Sequence, residues 1–187
     1  PLLPDFTPDY DLIAEKARTA TVVHIQRSRG YTQRNAFDLA TIQKVADTAR
    51  KANPNAVIFV DNCYGEFVET TEPCYVPEGA VNEAPADLIA GSLIKNPGGG
   101  MADVGGYIVG TAECVRLCGN RLTAPGIGMD IGASLGQNRN MIKGLFYAPH
   151  TVSQALKTAC LTSYMFGEIG YETSPKPDDK RSDIVQI

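Results

Sequence analysis

Five side chains in this 187-residue sequence combine types and spacings suited to covalent chemistry. Asp61, Cys63 and Tyr64 follow the apolar run AVIFV (56–60). Ser92 and Lys95 follow a second run, DLIAG (87–91), with Asn96-Pro97 and Gly98-Gly99-Gly100 directly behind the lysine. A third polar set, Gln26-Arg27-Ser28-Arg29, closes the run TVVHI (21–25). Short, continuously apolar runs read as buried strands. Ligands of open α/β sheets bind beyond the carboxyl ends of such strands, so these residues are expected to converge on one edge. Each also has a plainer reading: a carboxylate capping a turn, a solvated lysine, a flexible glycine loop.

Three chemistries compete for this set. Gly98 to Gly100 lacks the spacing to a lysine followed by Ser or Thr that a phosphate-cradling loop needs. Ser92-x-x-Lys95 spells the nucleophile pair of serine acyl-enzymes, but their partner motifs are missing; Lys157-Thr158-Ala159 lacks the required glycine. The set does meet the needs of pyridoxal 5′-phosphate (PLP). That cofactor takes a lysine amine for its imine, a carboxylate against its ring nitrogen, hydroxyl or N–H donors for its phosphate, and a donor beside its phenolic oxygen.

The elements that must position these groups alternate. Residues 9–19 and 38–51 carry apolar positions at helical spacing, and Asn53-Pro54-Asn55 stops the second helix. Residues 105–110 read as a fourth strand, and 111–122, 129–146 and 149–169 read as helices. Residues 171–174 and 183–187 read as two further strands, and 73–86 as a loop between the second and third strands. The expected fold class is α/β, a mostly parallel sheet built from βαβ units and covered by helices on both faces.

Composition narrows the partners. Seventeen Lys plus Arg against 21 Asp plus Glu give a net charge of −4, which argues against a nucleic-acid binder working by phosphate neutralisation. No apolar run approaches the roughly 18 residues of a membrane span. Five cysteines without regular spacing fit free, buried thiols of a reducing compartment, so a cytoplasmic location is expected. Cys114 and Cys118 share a helix face, but two histidines and no second cysteine pair give little support to a zinc site, and no metal is expected. The first residue is Pro rather than Met, which suggests a piece of a longer chain.

The segment 61–67 resembles the strand end that carries the ring-nitrogen aspartate in the aspartate-aminotransferase fold, that of fold type I PLP enzymes. Ser92-x-x-Lys95 resembles that fold's phosphate serine and cofactor lysine. The segments VDNCYGEFVE (60–69), ADLIAGSLIKNPGGG (86–100), RLTAPGIG (121–128), GASLGQNR (132–139), GLFYAPH (144–150) and SPKPDDKRSDIVQ (174–186) resemble one branch more closely. That branch is the methionine gamma-lyase-like family, also labelled aluminium resistance protein or cystathionine beta-lyase-like.

The resemblance implies that Lys95 holds PLP as an imine and later acts as general base. Asp61 then pairs with the ring nitrogen, Tyr64 serves the 3′ oxygen and assists catalysis, Ser92 binds phosphate, and Cys63 packs on the ring. Gln26 to Arg29 occupies the place of a loop that meets the cofactor or substrate. The implied reaction is β- or γ-elimination from a sulfur amino acid through a quinonoid intermediate, in a homodimer or homotetramer whose partner site receives the 123–128 loop. Residues 1–170 would be part of the cofactor domain and 171–187 the start of a C-terminal one, so this stretch alone is expected to be inactive. An aminotransferase or other fold type I enzyme, or an inactive α/β binding module, remains the alternative. The 73–86 loop and Asp103 depart from the family pattern; Asp103 is expected to face solvent.

Overall fold

The computed structural model describes residues 1–76, 78, 84–124, 126–130, 132 and 134–179. Helix α1 (Tyr10–Ala17) starts where the Asp9 carboxylate accepts the Leu12 N–H at 2.9 Å, filling one of the donors a helix start leaves open. Helix α2 (Leu39–Ala52) repeats the device with Asp38 and the Thr41 N–H at 2.8 Å. Its buried positions Ile42, Val45, Ala46 and Ala49 recur at three- and four-residue steps and form one stripe.

Strands β1 (Val22–Gln26), β2 (Val57–Asp61), β3 (Leu88–Ser92) and β4 (Gly106–Gly110) lie in that order in one sheet. The first three are parallel, and β4 runs antiparallel to β3 from Leu88↔Gly110 to Ser92↔Gly106. The sheet is therefore mixed, a correction to uninterrupted βαβ units. The 13 residues from Leu93 to Gly105 bring the chain back as a turn rather than a crossover helix. No helix joins β2 to β3 either, among the described residues.

Side chains alternate across the pleat, so Ile25, Ile58, Val60 and Ile89 meet α1 and α2 in one core. Ile42, Ile58 and Val60 are fully buried. Each such side chain contributes about 1.5–3 kcal/mol relative to exposure. On the opposite face His24 stacks on its register partner Phe59, ring centroids 5.1 Å apart, and His24 stays exposed. The expected helical cover on both faces is thus complete only on the α1/α2 side.

Helix α3 (Ala112–Leu122) is capped by Thr111 and packs on β4. Helix α4 (Asn138–Glu168) is one 31-residue helix, where two were expected with a break near Pro149. A proline removes one helical hydrogen bond but need not end a helix held by packing on either side. Here Gly144, Ala148 and Val152, which bracket Pro149, are all buried. Of the expected strand at 171–174 only Ser174 makes a β-bridge; the expected strand at 183–187 lies outside the described residues, as do 77 and 79–83 of the 73–86 loop. All five cysteines are free and half-buried rather than fully buried, and Asp103 is exposed.

Candidate functional site

Two loops at the carboxyl ends of β2 and β3 build the site. The first turns sharply after Asp61: the Asp61 carboxylate accepts the Cys63 N–H at 3.1 Å, and the Gly65 N–H bonds the Asn62 carbonyl at 2.8 Å. Tyr64 and Phe67 sit at φ 66° and 62°, left-handed conformations that cost a non-glycine residue about 1 kcal/mol or more. Gly65 is obligatory for a different reason. A Cβ there would fall 2.3 Å from Cδ of the buried Arg27, so the loop can fold down only where that atom is missing.

The second loop carries Lys95. The Ile94 N–H bonds Ser92 Oγ at 3.3 Å, the Lys95 N–H bonds the Ser92 carbonyl at 3.2 Å, and a short helical turn over Asn96–Gly98 follows. Gly99 adopts φ 54°, and a Cβ on it would lie 2.4 Å from the Gly144 carbonyl oxygen of α4. A Cβ on Gly144 would in turn lie 2.1 Å from the Gly98 carbonyl oxygen. Gly98 and Gly99 thus make a backbone-to-backbone seat on α4 that braces the lysine turn, with Gly98 buried, whereas a Cβ on Gly100 would meet open space.

Lys95 and Tyr64 meet: Lys95 Nζ stands 4.6 Å from the Tyr64 ring centroid, within cation–π range. Burial pulls the Lys95 pKa down, but hydrogen bonding with the Cys63 thiol, then the nearby Cys63, Tyr64 and Asp61 charges, outweigh it and raise the pKa. Burial pushes the Cys63 thiol up, Asp61 adds to the rise, and Lys95 partly offsets it. Asp61, Cys63, Tyr64 and Lys95 therefore form one electrostatic cluster, with Ser92 at the base of the lysine turn.

Gln26 to Arg29 behaves differently from a ligand loop: Arg27, Ser28 and Arg29 are buried, leaving only Gln26 exposed. Arg27 is a structural hub. It donates to Asn62 Oδ1 at 2.8 Å, Glu69 Oε2 at 2.7 Å and Glu72 Oε2 at 3.3 Å. Glu69 also accepts the Leu39 N–H at the start of α2, at 3.0 Å. Asn62 and Glu66, both buried, and the half-buried Asn96 and Tyr107 form a second hydrogen-bonded group beside the cluster, which sequence reasoning passed over. Glu66 stood inside the quoted strand-end motif, and a carboxylate between Gly65 and Phe67 was the available signal. Tyr107 sat in an apolar strand run and gave none.

The donor set suits PLP: an amine, a carboxylate, a phenol and a hydroxyl converge where two parallel strands end. Comparisons with known proteins give the family. A family model described as methionine gamma-lyase matches residues 1–187. The uncharacterized Bacillus subtilis (strain 168) protein YnbB is 48% identical over 179 residues, 95% of this chain and 41% of its own length. The crystal structure of a Listeria monocytogenes protein, provisionally described as a cystathionine beta-lyase involved in aluminium resistance, superposes with TM-score 0.89. It is 48% identical and covers 98% of this chain and 44% of that one. A Clostridium novyi NT structure described as a carbon-sulfur lyase involved in aluminium resistance gives TM-score 0.85 at 43% identity, over 97% of this chain and 42% of that one. A cysteine desulfurase from Thermococcus onnurineus NA1, 17% identical with TM-score 0.63, shares the fold. The chain thus spans less than half the length of these relatives.

Proposed function

We infer from one premise, that the chain belongs to the methionine gamma-lyase family, that the whole protein is a PLP-dependent lyase that breaks a carbon–sulfur bond of a sulfur amino acid. The observation that carries the reading is the approach of Lys95 Nζ to the Tyr64 ring, 4.6 Å, beside Asp61 and Cys63. The printed descriptions of the Listeria and Clostridium relatives, a cystathionine beta-lyase and a carbon-sulfur lyase, support the reaction class. The architecture is read as fold type I, with 1–170 part of the cofactor domain and 171–187 entering a C-terminal one.

When bound, PLP supplies an electron sink for a carbanion at the substrate α-carbon. Lys95 would hold the cofactor through its amine and afterwards move a proton at the α-carbon, because a positioned amine is then free to act as base. Its raised pKa makes the free amine a cation, so Lys95 would have to give up a proton before it could bond the cofactor or act as base. Asp61 would keep a proton on the ring nitrogen; a well-placed charged partner of this kind is commonly worth about 3 to 4 kcal/mol. Tyr64 would offer its phenol to the 3′ oxygen, Ser92 would offer its hydroxyl to the phosphate, and Cys63 would pack beside the ring.

The whole protein is read as a cytoplasmic homodimer or homotetramer with a small amino acid as substrate, and the 187-residue stretch by itself as inactive. Large exposed apolar side chains on α4, with Phe146 at 79% and Ile142 at 71% exposure, support an assembly that covers them. No helix among the described residues is long and apolar enough to cross a membrane.

Lys95→Ala tests the reading. The whole protein with PLP is expected to be yellow, absorbing near roughly 420 nm as a PLP imine does, and to release a thiol and a 2-oxo acid from a sulfur amino acid. The variant is expected to lose both. An unchanged spectrum in Lys95→Ala would sink the assignment, and consumption of keto-acid acceptors in place of thiol release would point to transamination.

A further inference from the structure

The two loops of the site are joined by sheet hydrogen bonds only as far as their strands run. Pairing between β2 and β3 ends at Asp61↔Ala90, and pairing between β3 and β4 ends at Ser92↔Gly106. Beyond those points something else must fix the distance from Lys95 to Asp61 and Tyr64.

A run of partly buried hydrogen bonds does so. Asn96, next to the lysine, donates its amide to the Glu66 carbonyl at 3.1 Å. Tyr107 on β4 donates its hydroxyl to Glu66 Oε1 at 2.7 Å and accepts from Asn62 Nδ2 at 3.2 Å. Asn62 Oδ1 accepts from Arg27 at the end of β1, at 2.8 Å. The run therefore touches all four strands at their site ends. We propose that Tyr107, Glu66 and Asn96 are positioning residues that set Lys95 against Asp61 and Tyr64, resting on the reading of Lys95 as the cofactor-bearing lysine.

Three features argue for a positioning role over general packing. Glu66 is 3% exposed and its Oε2 has no hydrogen-bond partner among the described residues, so Tyr107 is the side chain that holds the carboxylate through Oε1. Partly withdrawn from water, the Tyr107–Glu66 hydrogen bond is directional and stronger than it would be in solvent, and it specifies a distance that apolar contact would leave soft. Gly91 keeps the space clear: a Cβ on it would lie 2.4 Å from Glu66 Oε1 and 2.5 Å from the Tyr107 oxygen. Meanwhile Asn96 and the glycine seat on α4 both hold the lysine turn.

The test measures attachment of PLP to Lys95 in the whole protein without added substrate. Amine and aldehyde condense with loss of water, borohydride supplies the hydride that makes the adduct permanent, and mass spectrometry locates it. Tyr107→Phe and Asn96→Ala are each expected to slow labelling of Lys95 by about tenfold or more, since a misplacement near 1 Å carries penalties of that size. The pH midpoint of labelling is expected to move with them. Glu66→Gln keeps an acceptor for Tyr107 and is expected to label at the wild-type rate. Arg50→Ala, which removes the ion pair to Asp87 (3.0 Å) away from the site, lowers the melting temperature without changing labelling. Wild-type rate and midpoint in both Tyr107→Phe and Asn96→Ala would overturn the positioning role while leaving the functional reading intact. No label on Lys95 in the wild-type protein would overturn the functional reading and this inference with it.

Discussion

The two halves of the chain are finished to different degrees. Between Tyr10 and Ser92, α1 and α2 close over the sheet, and Ile42, Ala46, Ala49, Ile58 and Val60 are all at 0% exposure. Beyond β4 the pattern reverses: α3 has no buried residue, and α4 buries only Gly144, Ala148, Val152 and Ser163 along 31 residues. Meanwhile Leu122, Ile142 and Phe146 are each more than 70% exposed. Helices made of the same residue classes thus serve different ends. The first two complete a core of their own, whereas α4 spends its small residues seating the lysine turn and turns its large ones outward. A site braced by one finished half and one unfinished half depends on what covers the second.

The strongest way to break the finished half is to remove its buried charge. Arg27, at 1% exposure, serves Asn62, Glu69 and Glu72 together. Arg27→Ala takes a charged donor from two carboxylates and an amide, leaving Glu69 with the Leu39 N–H and Glu72 with Asn62 and the Phe67 N–H, and it vacates the space beside Gly65. A loss of about 3–5 kcal/mol is expected, the scale for breaking a buried ion pair from one side, read as a fall in the urea midpoint. A loss below 1 kcal/mol would show that the glutamates, each about one-third exposed, simply turn to solvent.

A smaller effect isolates Glu66 by pH. Burial raises its pKa first of all, with Glu72 adding and the Tyr107 hydrogen bond and Arg27 opposing. The folded protein then holds this proton more tightly than the unfolded chain, whose glutamate titrates near about 4.3. The contribution to stability is fully present below that value. It declines as pH rises toward the folded pKa, because the unfolded state binds fewer protons in that window. Glu66→Gln is expected to remove this decline, so that its urea midpoint, relative to wild type, improves as pH rises above about 4.3. Parallel profiles for the two proteins would show that Glu66 keeps its charge when buried. Tyr107, whose own pKa is strongly raised by burial and by Glu66, stays a donor throughout.

What could be read from sequence follows the range of the interaction involved. The strand runs at 22–26, 57–61 and 88–92 and the stripe of α2 depend on neighbouring residues, and they stand within a residue or two of expectation. The meeting of Lys95 with Tyr64 was also legible, because both follow strands that pair in parallel. Long-range facts were not. The reversal of β4, the glycine contacts between the lysine turn and α4, and the Arg27 and Tyr107 hydrogen bonds join residues about 30 or more positions apart in most cases. Pro149 misled because a local rule about helix breaking was outweighed by burial on both sides of it.

The smallest effect bears most directly on the difference between the halves. Phe146 is 79% exposed, with Tyr147 edge-on at 5.2 Å as its recorded ring contact. Truncating it removes almost no buried surface from this chain, so Phe146→Ala is expected to leave the urea midpoint of the 187-residue chain within about 0.5 kcal/mol. In the whole protein the expectation changes. If further chain or a second copy covers α4, the same truncation deletes a buried aromatic, and a loss of about 3 kcal/mol or more should appear as lowered stability or weakened association. A null result in both settings would mean that the α4 face is solvent-exposed in the working protein. The lysine turn would then be braced by α4 through its glycine seat alone, and the two halves would differ in composition without differing in dependence.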